Sequence, residues 1–154
     1  MTDDAEVTIE RVGEVDMSEL LALTRAYCDF YETDPRDDRL VALSKALLGD
    51  PGEGVQFIAR GSDGTALGFA TVYWSWDTTE AVRTGIMHDL YVKSEARGGG
   101  IGRKLIEACR GACRTRGVGK LVWQTAPDNE TAQRLYDSTG AESSLWKVYE
   151  LEAW

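Results

Sequence analysis

The sequence predicts an α/β fold in which a mixed sheet carries helices on both faces. Three observations predict it. Strand-like segments dominate the first two-thirds and are joined by glycine turns. Strand and helix then alternate toward the C-terminus. The amphipathic segment 100–116 starts directly from a run of glycines that ends a strand, Gly98-Gly99-Gly100.

Taken in order, residues 7–12 alternate and predict the first strand. Asp16 with Glu19 forms an N-cap and capping-box pattern ahead of a helix whose stripe is Leu20, Leu23, Tyr27 and Phe30. The segment Thr33-Asp34-Pro35 breaks that helix. A second helix spans 37–48 and stops at Gly49, with Asp50-Pro51-Gly52 beyond it. Strands 55–60 and 66–76 flank Ser62-Asp63-Gly64-Thr65, whose Asp-Gly pair signals a hairpin. Strand 84–92 follows, and Gly117 closes helix 100–116. Residues 121–125 predict a strand of buried character. Helix 129–138 ends before Gly140, and 147–151 alternate as a last strand.

Composition excludes several classes. The net charge is −9, the reverse of the basic footprint that displaces counterions from nucleic acid. A cationic substrate is favoured by that field, and an acidic surface also suits a salty cytosol. No apolar run reaches the roughly 18–20 residues of a membrane span, and the acidic start Met1-Thr2-Asp3-Asp4 lacks signal-peptide character, so a cytoplasmic location is expected. Cys109 and Cys113 share a helix face with Ile101, Leu105 and Ala112 and read as small core residues. Cys28 reads the same way within its stripe. No cluster has the ligand set of a metal site. The acidic run Asp29, Glu32, Asp34, Asp37 and Asp38 is either a solvated surface or a holder of cationic acceptors. Tyr73, Trp74 and Trp76 either pack in a core or box a cation.

The chemistry concentrates at the turn Arg97-Gly98-Gly99-Gly100-Ile101-Gly102. Glycine lets backbone N–H groups approach a ligand with no Cβ in the way. The helix start adds unpaired N–H donors and the positive end of its dipole. Together they suit a diphosphate, with Arg97, Arg103 and Lys104 adding charge. The spacing matches neither a Walker loop nor a Rossmann fingerprint. On spacing alone the turn is either a phosphate cradle or a tight strand-to-helix connection.

The pattern Arg97-x-x-Gly100-x-Gly102 resembles the Arg/Gln-x-x-Gly-x-Gly/Ala signature of the GNAT N-acetyltransferases. His88-Asp89-Leu90-Tyr91-Val92 ahead of it, Asn129-x-x-Ala132-x-x-Leu135-Tyr136 after it, and Gly140-Ala141 fall in that family's order. The likeness runs over about residues 55–151. Gly68–Trp74 followed by His88-Asp89 is most similar to the diamine and thialysine acetyltransferase branch. That branch carries Glu-Asp where this chain has His88-Asp89.

The resemblance implies a mainly antiparallel twisted sheet of 6–7 strands in one domain over 1–154. Within it, 1–54 form a variable acceptor-side part and 55–151 an acetyl-CoA-binding core. It implies acetyl-CoA as donor, a homodimer, and transfer to a primary amine of a small cationic molecule by direct attack in a ternary complex. A protein acceptor and a non-catalytic acyl-CoA sensor are the alternatives. Leu90, Tyr91 and Val92 would hold the pantetheine arm, and the 97–103 turn the phosphates. Tyr136 would protonate the departing thiolate, since a phenol titrates near ~10 and keeps its proton at neutral pH. Asn129 either contacts the pantetheine or caps its helix.

The amine arrives as a cation and must lose a proton. His88 is the only histidine, a residue type that titrates near ~6.5. Asp89 acting through a water is the rival base. Strict alternation places His88 with Ile86 and Leu90, and Asp89 on the opposite face with Met87 and Tyr91, unless a bulge intervenes.

Overall fold

The structure is a computed structural model and describes residues 6–154. Its chain divides into two compact units, one ending at Gln124 and the other running Thr125–Trp154.

The first unit is a five-stranded sheet in the order β1 (Thr8–Arg11), β2 (Gly54–Arg60), β3 (Ala66–Asp77), β4 (Val82–Val92) and β5 (Leu121–Val122). Neighbours are antiparallel except β4 and β5, which run parallel. The hairpin between β2 and β3 forms as the Asp-Gly signal predicts: Gly64 takes φ +84° and the Asp63 carboxylate accepts the Thr65 N–H at 2.9 Å.

Helices α1 (Met17–Phe30) and α2 (Asp37–Gly49) cover one face and α3 (Ile101–Thr115) the other, as period-two alternation along β3 makes plain. Phe69 packs with Leu20 and Leu23 of α1 and with Ile58 of β2. Val72, on the opposite face, meets Gly85 beneath Cys113 of α3. Cys109 and Cys113 are buried with Ile101 and Leu105, as their shared helix face requires. Burial pushes the Cys109 thiol up to about 12, so it behaves as a small hydrophobe.

Several expectations are corrected. β5 has two residues rather than five, and Val122 is exposed, so the strand is not buried. Residues 147–151 form no strand. Leu145, Trp146, Val148, Tyr149 and Leu151 all stand exposed in irregular backbone. The sheet of the described residues therefore has five strands where 6–7 were expected. The α1 stripe holds at Leu20 and Leu23, but Phe30 is exposed and Cys28 only half-buried.

The capping box is also absent. A short 3-10 turn, Glu14–Asp16, precedes α1, so the Asp16 carboxylate reaches back to the Gly13 N–H at 2.8 Å instead of capping forward. Arg60 of β2 claims both acids, meeting Asp16 at 2.6 Å and Glu19 at 2.8 Å. Burial pushes the Asp16 carboxyl up, but the Gly13 and Arg60 hydrogen bonds and the Arg60 charge outweigh it, leaving it below its usual range. Glu19 is lowered chiefly by its hydrogen bond from Arg60.

Because both folded carboxyls titrate below their unfolded counterparts, their stabilisation is complete above the ordinary carboxylate range and fades as pH falls through it. Arg60→Met, which strands the buried Asp16 carboxylate, is expected to cost about 3 kcal/mol at neutral pH. In urea titrations that deficit should shrink as the medium is acidified below about pH 4.

Candidate active site

One extra residue in β4 organises the first part of the site. Pairing with β3 runs Val72↔Met87 and then Thr71↔Asp89, so His88 is a bulge with no partner of its own. The bulge breaks strict alternation. Asp89 shares the face of Thr71 and Tyr73, whereas Met87 is buried on the α3 face. His88 and Asp89, expected on opposite faces, instead border the same cavity of about 140 Å³, with Nδ1 of His88 3.3 Å from Oδ1 of Asp89.

The cavity lies between α1, α2 and the sheet, and Tyr27, Gln56 and Tyr73 also line it. Tyr27 donates its hydroxyl to the His88 carbonyl at 3.3 Å, and the Tyr73 ring sits 5.4 Å from the imidazole. Burial, then the Asp89 charge, raises both phenols, Tyr73 to about 12 and Tyr27 further. The Asp89 side chain is 16% exposed and that of His88 66%, so the acid lies deeper and the imidazole nearer solvent.

The second part begins where β4 ends. β5 pairs only with Gly85 and Ile86, so from Met87 onward β4 has β3 as its sole strand partner among the described residues. Leu90, Tyr91 and Val92 fall in this singly paired stretch. Arg97 then folds back, donating Nε–H to the Val92 carbonyl at 2.9 Å with its guanidinium 5.8 Å from the Tyr91 ring centroid. That clamp lets the chain turn through Gly98 (φ +87°), Gly99 and Gly100 (φ +81°) into α3. Gly100 is the N-cap, no side chain caps the helix, and its first turn carries no acidic residue. A Cβ on Gly98 would project into open space, so the turn leaves room over its backbone. Ile101 anchors the helix start in the core, while Gly102 and Arg103 complete the first turn, with Arg103 exposed.

In the second unit, α4 (Glu130–Ser138) carries Tyr136, which is half-buried. Asn129 is its N-cap, Oδ1 accepting the Ala132 N–H at 3.2 Å, so the capping role is met.

Two candidate features fall away from the cavity. In the acidic run, Asp34 and Asp37 pair with Arg25 and Asp38 with Arg36, and none of the five acids lines the cavity. Trp74 packs half-buried beside Gly85 on the α3 face, and Trp76 is exposed. Arg116 lies 5.0 Å from the Trp74 ring and Arg83 4.8 Å from the Trp76 ring. Sequence reasoning missed Tyr27 as a site residue, along with Gln56 and Thr71. The signal for the last two was their inward parity on β2 and β3, legible only once the strand register is known.

The model of the acetyltransferase (GNAT) family matches residues 19–141. An uncharacterized N-acetyltransferase of Bacillus subtilis is 29% identical over 93% of this chain and 95% of its own length. An aminoglycoside N(6')-acetyltransferase of Stenotrophomonas maltophilia is 30% identical over 73% of this chain and 74% of its own. A thialysine N-epsilon-acetyltransferase of Bos taurus, from the branch the sequence resembles, is 32% identical but spans only 57% of this chain and 49% of its own. The crystal structure of a probable acetyltransferase superposes with a TM-score of 0.82 at 25% identity, covering 94% of this chain and 97% of the other.

The raised phenols give a test of the cavity's electrostatics. A phenol raised by folding stabilises the protein fully below about pH 10 and loses that contribution as pH climbs through the folded value. Asp89→Asn should move Tyr73 part of the way back toward ~10, because burial remains. Absorbance titration at 295 nm, read as the difference between Asp89→Asn and Asp89→Asn/Tyr73→Phe, measures it.

With a family-model match over most of its length, this chain belongs to the GNAT acetyltransferase family.

Proposed function

We propose that the chain transfers an acetyl group from acetyl-CoA to a primary amine of a small cationic molecule, by direct attack in a ternary complex. The observation that carries this reading is the bulge at His88, which sets an imidazole and a carboxylate 3.3 Å apart at one cavity on the strand that leads into the glycine turn.

The turn suits the phosphates of CoA. Its helix start is uncapped and free of acidic side chains, and the space over Gly98 is open. Bound there, acetyl-CoA supplies an acyl thioester. Every other demand falls on the chain. Asp89 attracts the ammonium of the acceptor into the cavity. With Nδ1 turned toward Asp89, His88 has Nε2 available to take the ammonium proton, directly or through a water, and the carboxylate then stabilises the imidazolium. Asp89 acting through a water is the competing base. Backbone groups of Leu90, Tyr91 and Val92, on the stretch that β5 leaves unpaired, would align the pantetheine arm. Tyr136 would return a proton to the departing sulfur. A cytoplasmic location and a homodimer belong to the same proposal. The exposed apolar side chains between Leu145 and Trp154 support a partner, and light scattering should give twice the chain mass.

Thiol release with a panel of amines tests the activity. Tyr136→Phe should lower kcat about 100-fold with little change in the KM for acetyl-CoA. Gly98→Val should instead weaken CoA binding about tenfold or more in calorimetry, since it fills the cradle and burdens a positive-φ site. His88→Gln should abolish the rise of kcat/KM with pH. An unchanged profile would hand the base role to Asp89. Tight CoA binding without turnover on any amine would overturn the reading.

A further inference from the structure

Gln56 of β2, Thr71 of β3 and Asp89 of β4 form a row of three polar side chains in strand register, and Gln56 and Asp89 line the cavity. The next row on the same face is Ile58, Phe69 and Tyr91, the apolar pattern expected of a buried surface. Gln56 is 5% exposed and Thr71 fully buried. Gln56 donates Nε2–H to the Thr71 hydroxyl at 3.0 Å, while its Oε1 is buried with no partner. The amide can be turned end for end, because the threonine hydroxyl both donates and accepts. As oriented, the Oε1 end is the one left unmet. A buried amide end left unmet is costly. Its position at the cavity wall makes a ligand the natural partner.

We propose that Gln56 is a specificity-determining residue that reads a second hydrogen-bonding group on the acceptor, one whose ammonium is held at Asp89. This rests on the acetyl-transfer reading above. Adjacent strands lie about 4.8 Å apart, so the backbones of Gln56 and Asp89 are about 10 Å apart across β3. The geometry therefore selects a short bifunctional amine, an amino alcohol or diamine, over an alkylamine of equal length. An alkyl tail would enclose the amide end without meeting it, the situation in which polar sites discriminate most strongly.

The probes are 4-aminobutan-1-ol, 1,4-diaminobutane and pentylamine, assayed for turnover and, separately, for binding by calorimetry. Wild type should favour the two bifunctional amines by about tenfold or more in kcat/KM. Gln56→Met, nearly isosteric, should erase that preference mainly through the acceptor's KM and leave the KM for acetyl-CoA unchanged. Gln56→Leu guards against a fault peculiar to one variant. A preference that persists in both folded variants, or that wild type lacks, overturns the proposal. If no amine turns over yet Gln56→Met still erases the binding preference, acetyl transfer fails while the role of Gln56 stands.

Discussion

The mismatch between β3 and β4 sets much of what the first unit can do. Ten residues of β3, Gly68–Asp77, run against the eleven of β4, and the extra residue at His88 is absorbed without breaking the ladder on either side. Had the pairing been regular, His88 and Asp89 would lie on opposite faces of the sheet, one under α1 and α2 and the other under α3. The bulge turns both toward one cavity, carries Asp89 into line with Thr71 and Gln56, and leaves the final residues of β4 aimed at the turn that starts α3. A single extra residue thus links the cavity to the strand end that enters the glycine turn.

The departure of β5 works with the bulge. Parallel pairing lasts only two residues, so among the described residues the backbone of β4 has no strand neighbour on that side from Met87 onward. Arg97 limits the cost of that opening by holding the Val92 carbonyl and covering the Tyr91 ring. The left-handed glycines that follow are tolerated because the chain entering them is pinned and Ile101, immediately after, is buried.

What the sequence made legible follows from local physics. The glycine turn, the caps of α3 and α4, the Asp63-Gly64 hairpin and the buried cysteines depend on residues close in the chain. Hidden features needed long-range register. The bulge depends on how many residues of β3 oppose β4. Pairing of Asp16 and Glu19 with Arg60, which displaced the expected capping box, spans more than forty residues. Residues 147–151 alternate as a strand should, but alternation reports only a preference for a neighbour, and the described chain supplies none. The acidic run behaves as the solvated-surface reading has it: Asp34 and Asp37 meet Arg25, Asp38 meets Arg36, and none of the five lines the cavity.

Arg97 has a further consequence for how anions reach the turn. Its guanidinium is held by a carbonyl and a ring but keeps its charge, so at close range it acts with Arg103, Lys104 and the backbone dipoles of the helix start, over a few ångströms where dissolved salt screens least. At longer range the chain presents its net charge of −9, which repels a polyanion. For a phosphate-bearing ligand the two fields would act at different distances, one discouraging the approach and the other favouring contact. Moderate ionic strength quiets the repulsion while sparing the cradle, so association should quicken with added salt, the reverse of what basic phosphate-binding surfaces do.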